Sequence, residues 1–129
     1  MKRILLIEDD KIIINIIDFL LKKEGYETFI ARDGNEGIEK IFSLEPDLII
    51  TDIMMPYRSG LEITAFSKKN YPNIPVIIVS ALGKEEQTVI EAFKLGVDDF
   101  VTKPFNPTEL ILRVKRFFIE KETLSLYHI

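Results

Sequence analysis

Five short runs rich in β-forming residues alternate along the chain with five longer segments of helical pattern. The runs cover residues 3–7, 26–31, 48–51, 76–79 and 99–102. Most of them have no polar face, as is typical of strands covered on both sides in a parallel sheet. Strands that alternate with helices are joined by right-handed crossovers, which place helices on both faces of the sheet. The sequence therefore predicts a five-stranded α/β domain.

The predicted helices carry start and stop signals. Asp33 and Ser59 each have a glutamate three residues later, which is the capping-box spacing. Asn106 is followed by Pro107 at the first helical position, which marks the start of the last helix. The helices are predicted over residues 11–24, from Asp33 to 44, from Ser59 to 70, over 84–95 and from 107 to about 120. We expect one domain over residues 1–121, with 122–129 as a tail or the start of a linker.

Composition excludes several function classes. Seventeen basic and 21 acidic residues give a net charge of -4, which argues against direct binding of nucleic acid or an anionic membrane. The chain has no cysteine, and its opening apolar run stops at Glu8, too early for a signal peptide. The longest apolar stretch, residues 12–21, is interrupted by Asn15 and Asp18 and is too short to span a bilayer. We expect a cytoplasmic protein.

Carboxylates follow two of the predicted strands. In the flavodoxin-like strand order 2-1-3-4-5, strands one and three are neighbours and a crevice opens between their carboxyl ends. Glu8 and Asp9 follow strand one, and Asp52 follows strand three. Three carboxylates in one crevice repel one another, at roughly 3 kcal/mol for a pair about 5 Å apart. A hard divalent cation such as Mg²⁺, which takes oxygen ligands and a phosphate, would compensate this charge.

A hydroxyl and an ammonium stand at the ends of strands four and five. Ser80 ends strand four, and Lys103 ends strand five. Taken singly, an aspartate at a strand end is usually a turn former, a serine there is a cap, and a lysine is solvated. Four strand ends that all carry residues suited to phosphoryl chemistry instead indicate a site for a phosphoryl group, with Asp52 as the nucleophile.

Four motifs carry a family resemblance. They are I-L-L-I-E-D-D (4–10), D-L-I-I-T-D-I-M-M-P (47–56) with Gly60 after it, V-I-I-V-S-A (76–81) and D-D-F-V-T-K-P-F (98–105). With these motifs the chain resembles the receiver domain of two-component response regulators, from residue 2 to about 120. The resemblance implies that Asp52 accepts a phosphoryl group from a phosphohistidine of a sensor histidine kinase or phosphotransfer protein. The domain would then be a regulatory phosphoacceptor rather than an enzyme.

The resemblance also implies a metal site. Asp9, Asp52 and the backbone carbonyl of Met54 would ligate Mg²⁺ or Mn²⁺, with Glu8 acting through a water molecule. Ser80 and Lys103 would bind phosphoryl oxygens, and the Lys103–Pro104 bond is expected to be cis.

A conformational switch is implied in the same way. Phe100 would turn inward as Ser80 moves toward the phosphate, and the change would be relayed to the face formed by the fourth helix, fifth strand and fifth helix. That face mediates dimers in some members, so a homodimer on phosphorylation is possible, with Asp99 and Arg113 as candidate contacts.

Two apolar residues beside the site predict a long-lived phosphorylated form. Met54 and Leu82 stand where polar side chains in some members orient a hydrolytic water. We therefore expect slow self-dephosphorylation.

The phosphodonor has to come from a partner, because the only histidine is His128 in the tail. The first helix is apolar around more than one stripe. We expect Ile13, Ile16, Ile17 and Leu20 in the core, and Ile12, Ile14 and Phe19 in an exposed docking patch for the donor.

Two other functions remain open at this point. A phosphohydrolase of the haloacid dehalogenase type needs a second aspartate two residues beyond its nucleophile, where Met54 stands. A flavodoxin-like mononucleotide binder needs a glycine- or hydroxyl-rich loop after strand one, where the acidic run from Glu8 to Asp10 stands.

Overall fold

Five parallel strands form one sheet in the order β2-β1-β3-β4-β5, which confirms the predicted α/β fold. The computed structural model describes the backbone of residues 1–127 and the side chains of residues 1–119. The strands are β1 (Arg3–Ile7), β2 (Glu27–Ala31), β3 (Leu48–Thr51), β4 (Val76–Ser80) and β5 (Asp99–Thr102).

Five helices connect and follow the strands: α1 (Lys11–Lys23), α2 (Gly34–Leu44), α3 (Gly60–Asn70), α4 (Glu86–Lys94) and α5 (Pro107–Tyr127). The two predicted capping residues, Asp33 and Ser59, accept hydrogen bonds from the first turns of α2 and α3. Asp10 caps α1 by accepting from the backbone N–H groups of Ile12 and Ile13. The carboxylates of Asp10 and Asp33 are also favoured by the helix dipole.

Two helix boundaries differ from the prediction by more than one residue. A 3₁₀ turn (Ala81–Lys84) follows β4 and delays the start of α4 to Glu86. This turn fits tightly, because a Cβ on Gly83 would lie 2.0 Å from the Thr102 hydroxyl oxygen. Helix α5 continues to Tyr127 rather than ending near residue 120, since residues 121–127 contain neither glycine nor proline to stop it. The domain boundary at 121 stays a prediction, and His128 lies outside the described residues.

The sheet separates two apolar clusters. Ile4 and Leu6 of β1 face the first cluster with α1 and α5, whereas Leu5 and Ile7 face the second with α2, α3 and α4. This alternation follows from the period of two along a strand. Helices therefore cover both faces, and the polar residues at the strand ends are left at the carboxyl edge of the sheet.

The prediction for α1 was wrong at two positions. Ile14 was expected to be exposed but is only 2% exposed, and Ile16 was expected in the core but is 41% exposed. The buried stripe runs through Ile14, Ile17 and Leu21, and the exposed stripe through Ile12, Ile16 and Phe19. Lys11, Asn15, Asp18 and Lys22 form a polar stripe on α1, but the apolar arc covers more than half of the circumference, so hydrophobic periodicity does not determine which part of that arc faces the core. Within the described residues, no helix has both the length and the apolar character needed to cross a membrane.

Candidate functional site

The register of the sheet brings the acidic residues together. Ile7 of β1 pairs with Thr51 of β3, so Glu8 and Asp52 leave the sheet side by side. The backbone N–H of Asp52 donates to the carbonyl of Ile7 at 3.1 Å, which extends the strand pairing by one residue. One carboxylate oxygen from each of Glu8, Asp9 and Asp52 lies within 4.8 Å of the others. Residues more than forty positions apart in the chain thus form one cluster.

Lys103 reaches the same cluster from the end of β5. Its Nζ donates to Glu8 Oε1 at 2.7 Å and to Asp52 Oδ2 at 3.0 Å. The backbone N–H of Lys103 donates to the carbonyl of Ser80 at 2.9 Å, which ties the end of β5 to β4. The Lys103–Pro104 peptide bond is cis. The ammonium therefore bridges two carboxylates that would otherwise repel each other.

Burial and this ion pair shift two pKa values. Burial raises the pKa of the Glu8 carboxyl above its ordinary value, and the charge of Asp52 acts in the same direction, while the hydrogen bond from Lys103 opposes both. Burial alone would lower the pKa of the Lys103 ammonium, but its hydrogen bonds to Glu8 and Asp52 outweigh burial and raise that pKa. Lys103 therefore keeps its positive charge at neutral pH.

The Asp52 carboxylate is fixed by its own loop. Its Oδ1 accepts from the backbone N–H of Ile53 at 2.6 Å, and its backbone carbonyl accepts from the Thr51 hydroxyl at 2.9 Å. Gly60 packs against this residue so closely that a Cβ there would lie 1.9 Å from the Asp52 carbonyl oxygen. Asp52 is thus held in place by contacts that the sequence analysis did not identify, with Gly60 as the one visible signal.

Ser80 and Phe100 lie on the two strands beyond Asp52. Ser80 is buried at the end of β4, and its hydroxyl accepts from the backbone N–H of Leu82 at 3.2 Å. Phe100 in β5 pairs with Ile78 in β4 and is partly buried against the second apolar cluster. The two residues therefore lie on adjacent strands, while their role as a switch stays a prediction.

The carboxylate cluster fits a hard divalent cation. All three side chains offer oxygen ligands, the donor type that Mg²⁺ prefers. Glu8 is already engaged by Lys103 and by the backbone N–H groups of Asp9 and Asp10, at 3.1 and 3.3 Å. Asp9 is exposed and Asp52 is partly exposed, so these two carboxylates are better placed for direct ligation.

Asp99 and Arg113, the charged residues predicted at a dimer face, form an ion pair with each other. Arg113 Nη1 donates to both carboxylate oxygens of Asp99, at 3.0 and 2.9 Å, and Arg113 also pairs with Glu109. The hydrogen bond to Asp99 is the main cause that raises the pKa of Arg113. Asp99 and Arg113 thus join β5 to α5, and dimerisation through them stays a prediction.

Comparison with known proteins assigns the family. A family model of the response regulator receiver domain matches residues 4–115. The chain belongs to the receiver domains of two-component response regulators. This match decides against the phosphohydrolase and the mononucleotide binder, and it implies phosphorylation-dependent signalling.

Solved receiver domains share the fold over more than nine-tenths of this chain. The receiver domain of the Francisella response regulator 1452 is 38% identical, with a TM-score of 0.86, 94% of this chain covered and 99% of that one. A CheY-like receiver domain protein from Methanospirillum hungatei is 32% identical, with a TM-score of 0.88 and coverages of 95% and 98%. The response regulator TrrA from Thermotoga maritima, in complex with Mg²⁺-BeF, is 35% identical, with a TM-score of 0.82 and coverages of 91% and 99%.

Proposed function

We propose that this receiver domain accepts a phosphoryl group on Asp52 from a phosphohistidine of a sensor histidine kinase or phosphotransfer protein. The observation that carries the proposal is the carboxylate of Asp52, which is held between the backbone N–H of Ile53 and the ammonium of Lys103 at the open edge of the sheet. An Asp52 oxygen attacks phosphorus, the bond from phosphorus to the imidazole nitrogen breaks, and its electron pair stays on that nitrogen.

Lys103 and Ser80 stabilise the negative charge of the phosphoryl oxygens that the reaction brings to the site. The Lys103 ammonium already donates to Asp52, so it lies where the phosphoryl oxygens arrive. The Ser80 hydroxyl accepts one hydrogen bond and retains its own proton for donation. Fixed donors of this kind stabilise developing negative charge at little cost in reorganisation.

Asp9, Asp52 and the backbone carbonyl of Met54 would hold Mg²⁺ or Mn²⁺, with Glu8 acting through water. When bound, the cation supplies positive charge to the oxygens of the transferred group. Two observations support this assignment. The three carboxylates converge within 4.8 Å, and among the described residues one lysine, Lys103, pairs with two of them, Glu8 and Asp52.

The phosphorylated site then acts on the end of β4 and on β5, which lies beside it. Ser80 moves toward the phosphoryl group, and Phe100 turns inward into the space beside the second apolar cluster. The half-buried position of Phe100 gives it both an exposed and a buried alternative. The change is relayed to the face formed by α4, β5 and α5, where an output partner or a second copy of the chain would bind.

The exposed stripe of α1, formed by Ile12, Ile16 and Phe19, is the docking patch for the phosphodonor. Next to it lies a shallow, mainly apolar cavity of about 180 Å³, lined by Ile13, Ile16, Lys103, Pro104, Phe105 and Pro107. Since Lys103 belongs both to this cavity and to the carboxylate cluster, a partner seated on the patch would bring its phosphohistidine to Asp52. Ile14, which is buried, is no longer part of the patch.

A phosphorylation experiment tests the proposal. The chain is incubated with acetyl phosphate, with and without Mg²⁺, and the intact mass is measured. We expect one added phosphoryl group that requires Mg²⁺ and is absent from Asp52→Asn. An adduct on Asp52→Asn, or none on the unchanged chain under any condition, would refute the assignment of Asp52.

A further inference from the structure

The loop after Asp52 contains a strained turn. Tyr57 has a φ of 71°, and the backbone N–H of Arg58 donates to the carbonyl of Pro56 at 2.9 Å. A hydrogen bond between residues two apart, across a residue with positive φ, defines the rarer and more strained form of the γ-turn. Tyrosine is unfavourable there because its Cβ crowds the backbone at positive φ. Tyr57 is 77% exposed, so packing of its side chain does not offset this strain.

The start of α2 holds this turn in place. The backbone N–H of Gly34 donates to the carbonyl of Pro56 at 3.2 Å, so that oxygen accepts two hydrogen bonds. A Cβ at position 34 would lie 2.2 Å from the backbone oxygen of Arg58 and 2.3 Å from its Cβ. These neighbours are backbone and Cβ atoms, which cannot rotate away. Only glycine at position 34 allows α2 and the turn to approach this closely.

The other end of the loop is fixed by α3. The backbone N–H of Gly60 donates to the carbonyl of Ile53 at 2.9 Å. Met54 thus lies between two anchored carbonyls, that of Ile53 and that of Pro56. The Met54 carbonyl therefore lies in a four-residue segment, 53–56, that hydrogen bonds hold at both ends.

We propose that Gly34 is a positioning residue for the metal site, because it braces the strained turn at Tyr57 and thereby orients the carbonyl of Met54. The inference rests on the proposed function, in which that carbonyl is a metal ligand. Gly34 contributes no ligand of its own and belongs to the first turn of α2 rather than to the loop after Asp52. Its replacement weakens metal binding through the position of the loop alone.

Metal binding to the unphosphorylated chain is the measurement. Mg²⁺ dissociation constants come from calorimetry, and Mn²⁺ constants from electron paramagnetic resonance of the free ion. We expect Gly34→Ala to weaken both by roughly tenfold, the lower end of the effect of groups that support metal ligands. The matched control is Gly37→Ala on the same helix, where a Cβ would meet the side-chain tip of Ile7 at 2.9 Å instead of the loop. That control keeps wild-type affinity, although its stability changes.

Two replacements of Tyr57 test the turn without altering α2. Tyr57→Pro forbids positive φ and should weaken Mg²⁺ binding as Gly34→Ala does. Tyr57→Gly tolerates the turn and should keep wild-type affinity with higher stability. Tyr57→Pro also decides the question if Gly34→Ala does not fold.

Asp9→Asn separates the two levels of the proposal. If Asp9→Asn binds Mg²⁺ as tightly as wild type, the metal site itself is misplaced. If Asp9→Asn loses the metal but folded Gly34→Ala or Tyr57→Pro retains wild-type affinity, the role of Gly34 is overturned and the metal site stands.

Discussion

The Lys103 ammonium lies between the carboxylates of Glu8 and Asp52, and the loss of folding stability on its removal can be calculated. Lys103→Met keeps most of the aliphatic stem but leaves Glu8 and Asp52 facing each other. Glu8 is 2% exposed, so water cannot replace the lost ammonium at that carboxylate. We therefore expect Lys103→Met to lower the free energy of unfolding at neutral pH.

The size of the effect follows from the geometry. Carboxylate oxygens of Glu8 and Asp52 lie within 4.8 Å, so two ionised groups repel by about 3 kcal/mol at an effective dielectric of 20. This matches the lower end of the cost, roughly 3 to 5 kcal/mol, of removing one partner from a buried ion pair. Domains of this size unfold at about 5 to 15 kcal/mol, so the variant should remain folded and measurable.

The pH dependence distinguishes repulsion from lost packing. Without Lys103 the pKa of Glu8 rises further, since the hydrogen bond that lowered it is gone. A carboxyl with a raised pKa in the folded protein contributes stability that is complete below its unfolded value and is lost as pH rises through its folded value. The gap between wild type and variant should therefore be largest at neutral pH and should close as pH falls toward 4.5, the ordinary value for Glu8.

Urea unfolding across this pH range, with and without Mg²⁺, is the assay. Mg²⁺ should narrow the gap because it binds the folded carboxylates and replaces the missing charge. Lys115→Met is the control, since Lys115 pairs with Glu24 at the surface and its loss should change stability little at any pH. A gap for Lys103→Met that is independent of both pH and Mg²⁺ would refute the reasoning.

Three further outcomes are expected. Ser67→Ala should raise the free energy of unfolding by about 1 kcal/mol in urea melts, because the Ser67 hydroxyl is fully buried and finds no hydrogen-bond partner among the described residues; a loss of stability would contradict this. Met54→Asn should shorten the lifetime of the phosphorylated form by at least roughly tenfold, measured by the decay of labelled phosphate, because a polar group there can orient water; a wild-type lifetime of only seconds with Mg²⁺ would itself exclude slow self-dephosphorylation. Ile12→Lys should slow phosphoryl transfer from a phosphorylated histidine phosphotransfer domain but not phosphorylation by acetyl phosphate. Phe42→Lys, on the opposite face of the sheet, should slow neither reaction. Equal rates of transfer from the phosphotransfer domain to the two variants would exclude the docking patch.

The sequence predicted those parts of the site that depend on strand ends. Glu8, Asp52 and Lys103 each follow a recognisable strand, and parallel strands end at one edge, so their convergence could be expected. Which apolar residues of α1 are exposed could not be predicted, because the apolar arc of that helix is wider than the face that packs on the sheet.

Contacts made by backbone atoms also could not be predicted from the sequence. Gly34 at the start of α2 approaches Arg58 through backbone and Cβ atoms, which nearly every residue has, so the glycine itself is the only signal in the sequence. One side-chain contact could not be predicted either. The ion pair between Asp99 and Arg113 depends on the angle between β5 and α5, which residue types alone do not specify.

Chemical location of the phosphoryl group tests the central claim most directly. The chain is phosphorylated with acetyl phosphate and Mg²⁺ and then treated with borohydride, which reduces an acyl phosphate and converts the acceptor aspartate to homoserine. Peptide mass spectrometry then locates the homoserine. Our account predicts homoserine at position 52 and at no other aspartate. Homoserine at Asp9 or elsewhere, with position 52 unchanged, would contradict it.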